Sequence, residues 1–562
     1  MIRFQQPFLH IALGVASTLV ISSCAAKLKP LTVDHITANP EMLELVGTEV
    51  PTTLTVQIPA EWMHRKAQVN FVPVLRYKGG ESWGTTHAIQ GEEVLDNHQI
   101  IPYKEGGVAE FSTRFTYDPR MQESDLFLTF RATVNGKQVE LPSVKVGQGV
   151  LTTAALANLS GSSPVMATDA FQRIIQDRYN ADIHFLIQQA QVRTSEIKKQ
   201  EMADLKDVIE NADEAPNQHV KVEIQAYASP DGGVALNEKL SAQREKNTSE
   251  ALRRALARDI QISAHYTAED WEGFRMFVEQ SDIQDKDLIL RVLSMYTDPE
   301  EREREIRNIS VVFEQLAQDI LPKLRRSRVS ALVETIGKSD LEITEIAQQA
   351  PQKLTIEELL YAAAIAKKNM DKAQLYRRAT ELYPQDARAY NNVAALLMAE
   401  GKYNEAKPWL EKSRSVADNP EARLNTALLA LEEGDISLAE ELIGQSLQSG
   451  NNEVLALLYL KQGKYHQAVE AFGETKSNNA ALAQLLTKQY DRAMETLNEV
   501  VLTNATTDYL KAIVAMRMHD AQSAINFLNE AFRRNPALRT QAAVDKEFTT
   551  LLNNEHFKQL IR

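Results

Sequence analysis

The sequence predicts a multidomain chain with an N-terminal β-sandwich, a central α/β unit carrying a helical insertion, and a C-terminal all-α solenoid. Three observations predict it. Polar and apolar residues alternate with period two as far as about Val150, strands alternate with helices from about 180 to 335, and beyond Leu354 strand signals give way to helices recurring at a fixed step. A chain of 562 residues, 44% hydrophobic and 25% charged, is also too long for one ordinary core.

The β region justifies itself strand by strand. Thr52 to Ile58, Gln68 to Leu75 and Phe127 to Val134 each alternate as half-buried strands do. Lys78-Gly79-Gly80, Glu105-Gly106-Gly107 and Asn135-Gly136-Lys137 are turns between them, the last a hairpin signal. An antiparallel sandwich over 24–155 closes such strands on one core. It carries no recognisable chemistry and reads as a spacer or adhesion module. Leu156 to Thr168 is rich in Ala, Ser and Gly, the composition of a linker.

The central unit, 170–340, has strand-like 182–187, a charged helix over about 195–212, strand-like 220–227, a turn, and a long helix over about 235–257. In the helical region, 350–562, Gly401 and Gly434, like Ala406 and Ala439, stand 33 residues apart. Tyr376, Ala379 and Pro384 mark an earlier copy, and Gly463, Ala468 and Ala493 mark shortened ones. Asp545 to Leu560 reads as a helix capping the last apolar face.

Net charge is −14, so the pull on nucleic acid that a basic surface supplies is missing and no nucleic-acid partner is expected. A single cysteine, Cys24, excludes an internal disulfide and cysteine-based zinc sites. It ends an apolar leader, residues 1–23, that is too short to span a membrane. The order apolar, Ser22, Ser23, Cys24 resembles a bacterial lipobox. That resemblance implies cleavage before Cys24, acylation of its thiol and a lipid anchor in the membrane. Ala25 and Ala26 follow with no acidic cluster, which by resemblance to lipoprotein sorting implies the outer membrane and its periplasmic face.

Ala226 to Arg244 reads AYASPDGGVALNEKLSAQR. With Asn237, Leu240-Ser241 and Arg244 at matching spacing, it resembles the C-terminal domain of the OmpA family over about 180–335. Leu321 to Val329 resembles that family's terminal strand. The resemblance implies a peptidoglycan site in which an Asp from the turn and an Arg from the helix hold diaminopimelate, with Arg244 gripping its carboxylate. Ser229 occupies the usual Asp position and Asp231 lies two residues on. Ser229, Asp231, Asn237 and Arg244 are the candidate ligand-binding residues. A second reading stays open, in which Arg244 makes a surface salt bridge and Ser229 to Gly232 is an ordinary capping turn. Arg325 and Arg326 read as structural or rim charges. The Tyr227 to Gly232 turn, Glu269 to Phe274 and the acidic-basic run at 300–306, with a helical insertion of roughly 50 residues before the last strand, resemble a Bacteroidetes-type branch of that family, as found in outer-membrane lipoproteins.

The 33-residue step with small residues at helix contacts resembles tetratricopeptide repeats over about 355–540, which implies a concave wall binding a protein or peptide. No enzyme, metal or cofactor signature emerges. The 11 histidines form no metal-binding pair, Gly337-Lys338-Ser339 lacks the first Gly of a phosphate loop, and Ser160 to Ser163 lacks the frame of a nucleophile elbow. The expectation is a non-enzymatic lipoprotein scaffold, touching peptidoglycan through the central unit and an envelope protein through the repeats. The competing expectation is an accessory or assembly factor of a fimbrial or secretion machine without cell-wall binding.

Overall fold

The computed structural model describes residues 28–256, 260–283, 285–308, 310–446 and 452–562. The leader and Cys24, with the lipid anchor expected there, lie outside the described residues. The chain divides into two compact units, one formed by residues up to Ala167 together with Ala379–Arg562, the other by Thr168–Arg378. The β region and most of the helical repeats thus belong to one unit, and the expected linker divides between the two.

In the first unit, strand β1 (Ile36–Asn39) pairs with β2 (Glu49–Ile58), and β2 pairs with a later strand, in a three-stranded sheet. β3 (Ala67–Tyr77) is central to a seven-stranded sheet. β4 (Gly107–Thr116) completes the first sheet, and β5 (Ser124–Val134) lies beside β3. Alternation decides which side faces inward: Val50, Thr52, Leu54, Val56 and Ile58 of β2 are buried, as are Ala109, Phe111, Thr113 and Phe115 of β4. Phe111 stacks on Phe71 of β3, so both sheets share one core. Asn135 and Gly136 both take positive φ, as the tight hairpin leaving β5 requires.

The second unit is built on a four-stranded sheet. β6 (Ile174–His184), β7 (Gln218–Tyr227), β8 (Ile262–Thr267) and β9 (Arg326–Ile336) lie in the order β6-β9-β7-β8, antiparallel except for the parallel β7–β8 pair. Helices α1 (Gln200–Glu214) and α2 (Val234–Ala255) pack on it through Met202, Leu205, Ile209 and Leu252 against Ile183, Ile224 and Val329. The first strand begins earlier than its apolar run suggested, because residues 174–180 pair along β9 although they are exposed. The charged helix splits, a short turn at Thr194–Ile197 preceding α1. Between β8 and β9 the insertion is helical, with its own core of Phe274, Val278, Ile289, Leu293, Leu316 and Leu324. Ser339 of the rejected phosphate-loop triplet caps Asp340–Gln349 in a capping box, its hydroxyl accepting from the Glu342 amide at 3.3 Å and its own amide donating to the Glu342 carboxylate at 2.8 Å.

From Ala379 the first unit resumes as helical hairpins. α3 (Ala387–Ala399) pairs with α4 (Tyr403–Val416), α5 (Pro420–Glu433) with α6 (Ile436–Gly444), and α7 (Asn452–Lys461) with α8 (Tyr465–Phe472). α9 (Asn478–Leu486) pairs with α10 (Tyr490–Glu499), and α11 (Ala505–Arg517) with α12 (Ala521–Arg534). Ala406, Ala439, Ala468, Ala493 and Ala524, one per second helix, are all fully buried. Small side chains there let the paired helices approach closely. The final segment is a 3-10 stretch, Lys546–Asn553, followed by Glu555–Leu560, rather than one capping helix. Phe548 and Phe557 plug the end beside Tyr509. Within this unit Gly47 approaches the backbone of Gln462, and the Tyr465 hydroxyl donates to the Leu45 carbonyl at 3.1 Å.

Candidate functional site

The expected linker is an ordered strap on the face formed by the first helices of the hairpins. Val150–Leu151 pairs with Leu43–Glu44, and Thr153 then donates to Glu547 at 2.5 Å. Arg517 of α11 holds that carboxylate by two bonds of 2.8 and 2.9 Å. Asn479 of α9 accepts the Asn158 amide at 3.3 Å and donates to its carbonyl at 2.8 Å. Glu432 of α5 accepts the Leu159 amide, and Glu453 of α7 accepts that of Ser163. Asn425 of α5 accepts the Val165 amide and donates to its carbonyl, both at 2.7 Å. Asn392 of α3 does the same for Ala167 at 2.8 and 2.9 Å. Asn391 donates to the Val165 carbonyl and accepts from Asn425, linking the two repeats.

A side-chain amide carries one acceptor and one donor group, so it pairs with an extended backbone much as a neighbouring strand would. Asn391 and Asn425 are 34 residues apart, at comparable places on successive first helices. The asparagine contacts run against the order of the repeats, from Asn479 of α9 at Asn158, through Asn425 of α5 at Val165, to Asn392 of α3 at Ala167. Gly161 sits where a Cβ would come within 2.9 Å of the Asn479 amide. Burial pushes the Glu453 carboxyl above its usual range, with the Ser163 amide partly offsetting this. The composition that predicts a linker describes side chains too small to obstruct these bonds; the partners that order the strap lie more than 200 residues away.

The second candidate lies in the α/β unit. α2 buries a polar stripe, Asn237, Ser241, Arg244 and Thr248, at helical spacing. Arg244 is 1% exposed and makes no surface salt bridge. Its guanidinium donates to the carbonyls of Gln189 at 3.0 Å and Tyr227 at 2.8 Å, and lies over the Phe185 ring. Burial, then repulsion from Arg325, lowers its pKa to about 10, against the pull of Asp231. Asn237 donates to the Gly232 carbonyl and to Glu269, securing the turn.

Ser229 and Asp231 come together with an arginine assigned only a structural or rim role. The Ser229 hydroxyl donates to Asp231 at 2.5 Å. Arg325, just before β9, donates to Ser229 at 3.1 Å and to Asp231 at 2.8 Å. Asp231 and Arg325 line a cavity of about 770 Å3 with Leu186, Ile187, Phe313 and Arg307. Arg244 lies behind this wall, bonded to the backbone of wall residue Gln189. Asp231 thus faces the cavity with Ser229 as its partner, while Asn237 and Arg244 support the turn and the wall. Arg326 instead pairs with buried Asp270 at 2.8 Å. Among the described residues no group of three or more His, Cys, Asp or Glu side chains is placed to hold a metal, and no helix is long and apolar enough to cross a membrane.

Residues 375–407 match the tetratricopeptide repeat family model. The hairpins and this match define a protein that contains tetratricopeptide repeats. Its structural neighbours include PilW, a type IV pilus biogenesis factor, 17% identical over 40% of this chain and 89% of that one, with a TM-score of 0.21. YrrB, a repeat protein with an unusual peptide-binding site, is 15% identical over 36% and 99%, with a TM-score of 0.19. Yeast Tom70 is 11% identical over 64% and 82%, with a TM-score of 0.24. No curated protein matches the sequence.

Proposed function

We propose that the chain is a non-catalytic scaffold of the bacterial envelope that binds protein through its repeats. The observation that carries this is the row of Asn391, Asn392, Asn425 and Asn479 amides on the first helices, each bonded to extended backbone. Such a row recognises polypeptide and offers no nucleophile, acid or base to a substrate. Acylation of Cys24 holds the protein in the outer membrane, facing the periplasm, where confinement raises the effective concentration of every weak contact.

The cavity beside Asp231 favours a second contact in the OmpA-like unit. Arg325 and Arg307 supply positive charge for a carboxylate and Asp231 supplies an acceptor for an ammonium group, a combination suited to the diaminopimelate of peptidoglycan. The competing role is an accessory or assembly factor of a fimbrial or secretion machine in which this cavity binds no cell wall. Retention of the lipid-free 25–562 protein on purified sacculi separates them. Retention abolished in Arg325→Gln supports tethering. Absence of retention, with a defined envelope protein recovered by crosslinking in intact cells, supports assembly. Release of muropeptides would contradict both, because each is non-catalytic.

A further inference from the structure

Three features of the strap are those of a bound peptide rather than of a core segment. Its amides and carbonyls are gripped in pairs by side chains, so recognition falls on backbone and demands little of side-chain identity. Ser160, Ser163 and Met166 point to solvent while Ala157, Leu159, Gly161 and Ala167 are buried, which leaves a thin apolar footprint. The tightest place is Gly161 against Asn479, a position that only a residue without a side chain fills unaltered.

We infer that residues 157–167 are a resident ligand of the first-helix face. The external ligand of that face is then an extended partner segment of small residues. It takes the same Asn391, Asn392, Asn425 and Asn479 amides, against the order of the repeats, after the resident leaves. This rests on the protein-binding role proposed above and adds the partner's form and the closure of its site. A resident joined to the chain at both ends competes at high effective concentration, so external affinity is reduced by the fraction of time the face is open.

The probe is a fluorescein-labelled synthetic peptide with the sequence of residues 156–168, titrated into the full chain and followed by anisotropy. Two variants release the strap without altering the amides. Gly161→Val places a side chain against Asn479. Asn158→Pro removes the amide hydrogen that Asn479 accepts, at a residue whose φ of −152° proline cannot adopt. Both should bind the peptide at least about thirtyfold more tightly than the unaltered chain, and adding Asn425→Ala should erase the gain. Equal binding by the unaltered chain and the variants would overturn the inference. So would no binding once subtilisin cleavage shows the strap released, or loss of the fold in both variants, because the segment would then be structure rather than ligand. An envelope protein crosslinked to another surface of the chain would leave the scaffold role intact while this inference failed.

Discussion

Asn425 and Val165 bond each other twice, amide to carbonyl in both directions at 2.7 Å, across 260 residues of sequence. Replacing Asn425 with Ala strands the Val165 amide and leaves the Asn391 carbonyl oxygen without its donor. The expected loss is about 2–3 kcal/mol in the unit that holds the strap, read by urea denaturation. Asn425→Asp, which keeps the acceptor but buries a charge and removes the donor, should cost at least as much.

Arg244 and Arg325 should separate support from recognition. Arg244→Met leaves the Gln189 and Tyr227 carbonyls without their donor and should destabilise the α/β unit by about 3 kcal/mol, measured by chemical denaturation. Arg325→Gln keeps a donor near Ser229 and loses mainly an ion pair at the cavity wall, so about 1 kcal/mol is expected. A loss of sacculus binding in Arg325→Gln is therefore interpretable, whereas the same loss in Arg244→Met would reflect a damaged wall.

Tyr465 gives the repeats a dependence on alkaline pH. Burial is the main cause that raises its hydroxyl pKa from 10 to about 12. The folded chain keeps a proton that the unfolded chain gives up between those values. This contribution is whole below pH 10 and disappears as pH climbs to 12, a change on the order of 2 kcal/mol. Thermal melts across that window should fall more steeply for the unaltered chain than for Tyr465→Phe.

Two glycines of the repeats should respond unequally to alanine. Gly434 ends α5 at φ +83° with open space around it, so Gly434→Ala carries only the backbone cost, about 1 kcal/mol. Gly463 has φ +75°, and a Cβ there would come within 2.7 Å of Val46 and 2.9 Å of the Gly47 nitrogen. Gly463→Ala should cost about 3 kcal/mol, because the strain of overpacking adds to the φ penalty. Paired calorimetric scans test the difference.

Much of this architecture is written in local periodicity. The alternation of Val50 to Ile58, the Asn135-Gly136 turn and the 33-residue step from Ala406 to Ala439 each report a short-range rule, and the strands, hairpin and repeats follow. What local pattern does not carry is the partner of a polar group. The resemblance to the OmpA family aims Arg244 at a ligand, yet the carbonyls that satisfy it come from Gln189 and Tyr227, outside its helix. Asp231 is out of register with the expected acid, and only the fold brings Arg325 to it. For the strap one signal was available: Asn391 and Asn425 recur at the repeat length where a first helix usually needs apolar residues, and a buried polar residue at such a place asks for a partner.

Amide hydrogen exchange over residues 157–167 of the unaltered full chain, read by mass spectrometry, tests the strap most directly. Bound as described, the amides of Asn158, Val165 and Ala167 exchange far more slowly than those of a free chain, yet faster than those of α3 and α5 because the strap opens before the helices unfold, and they accelerate together in Asn425→Ala. Exchange within seconds, at the rate of a free Ala-Ser-Gly chain and indifferent to that substitution, would contradict a first-helix face that holds this segment.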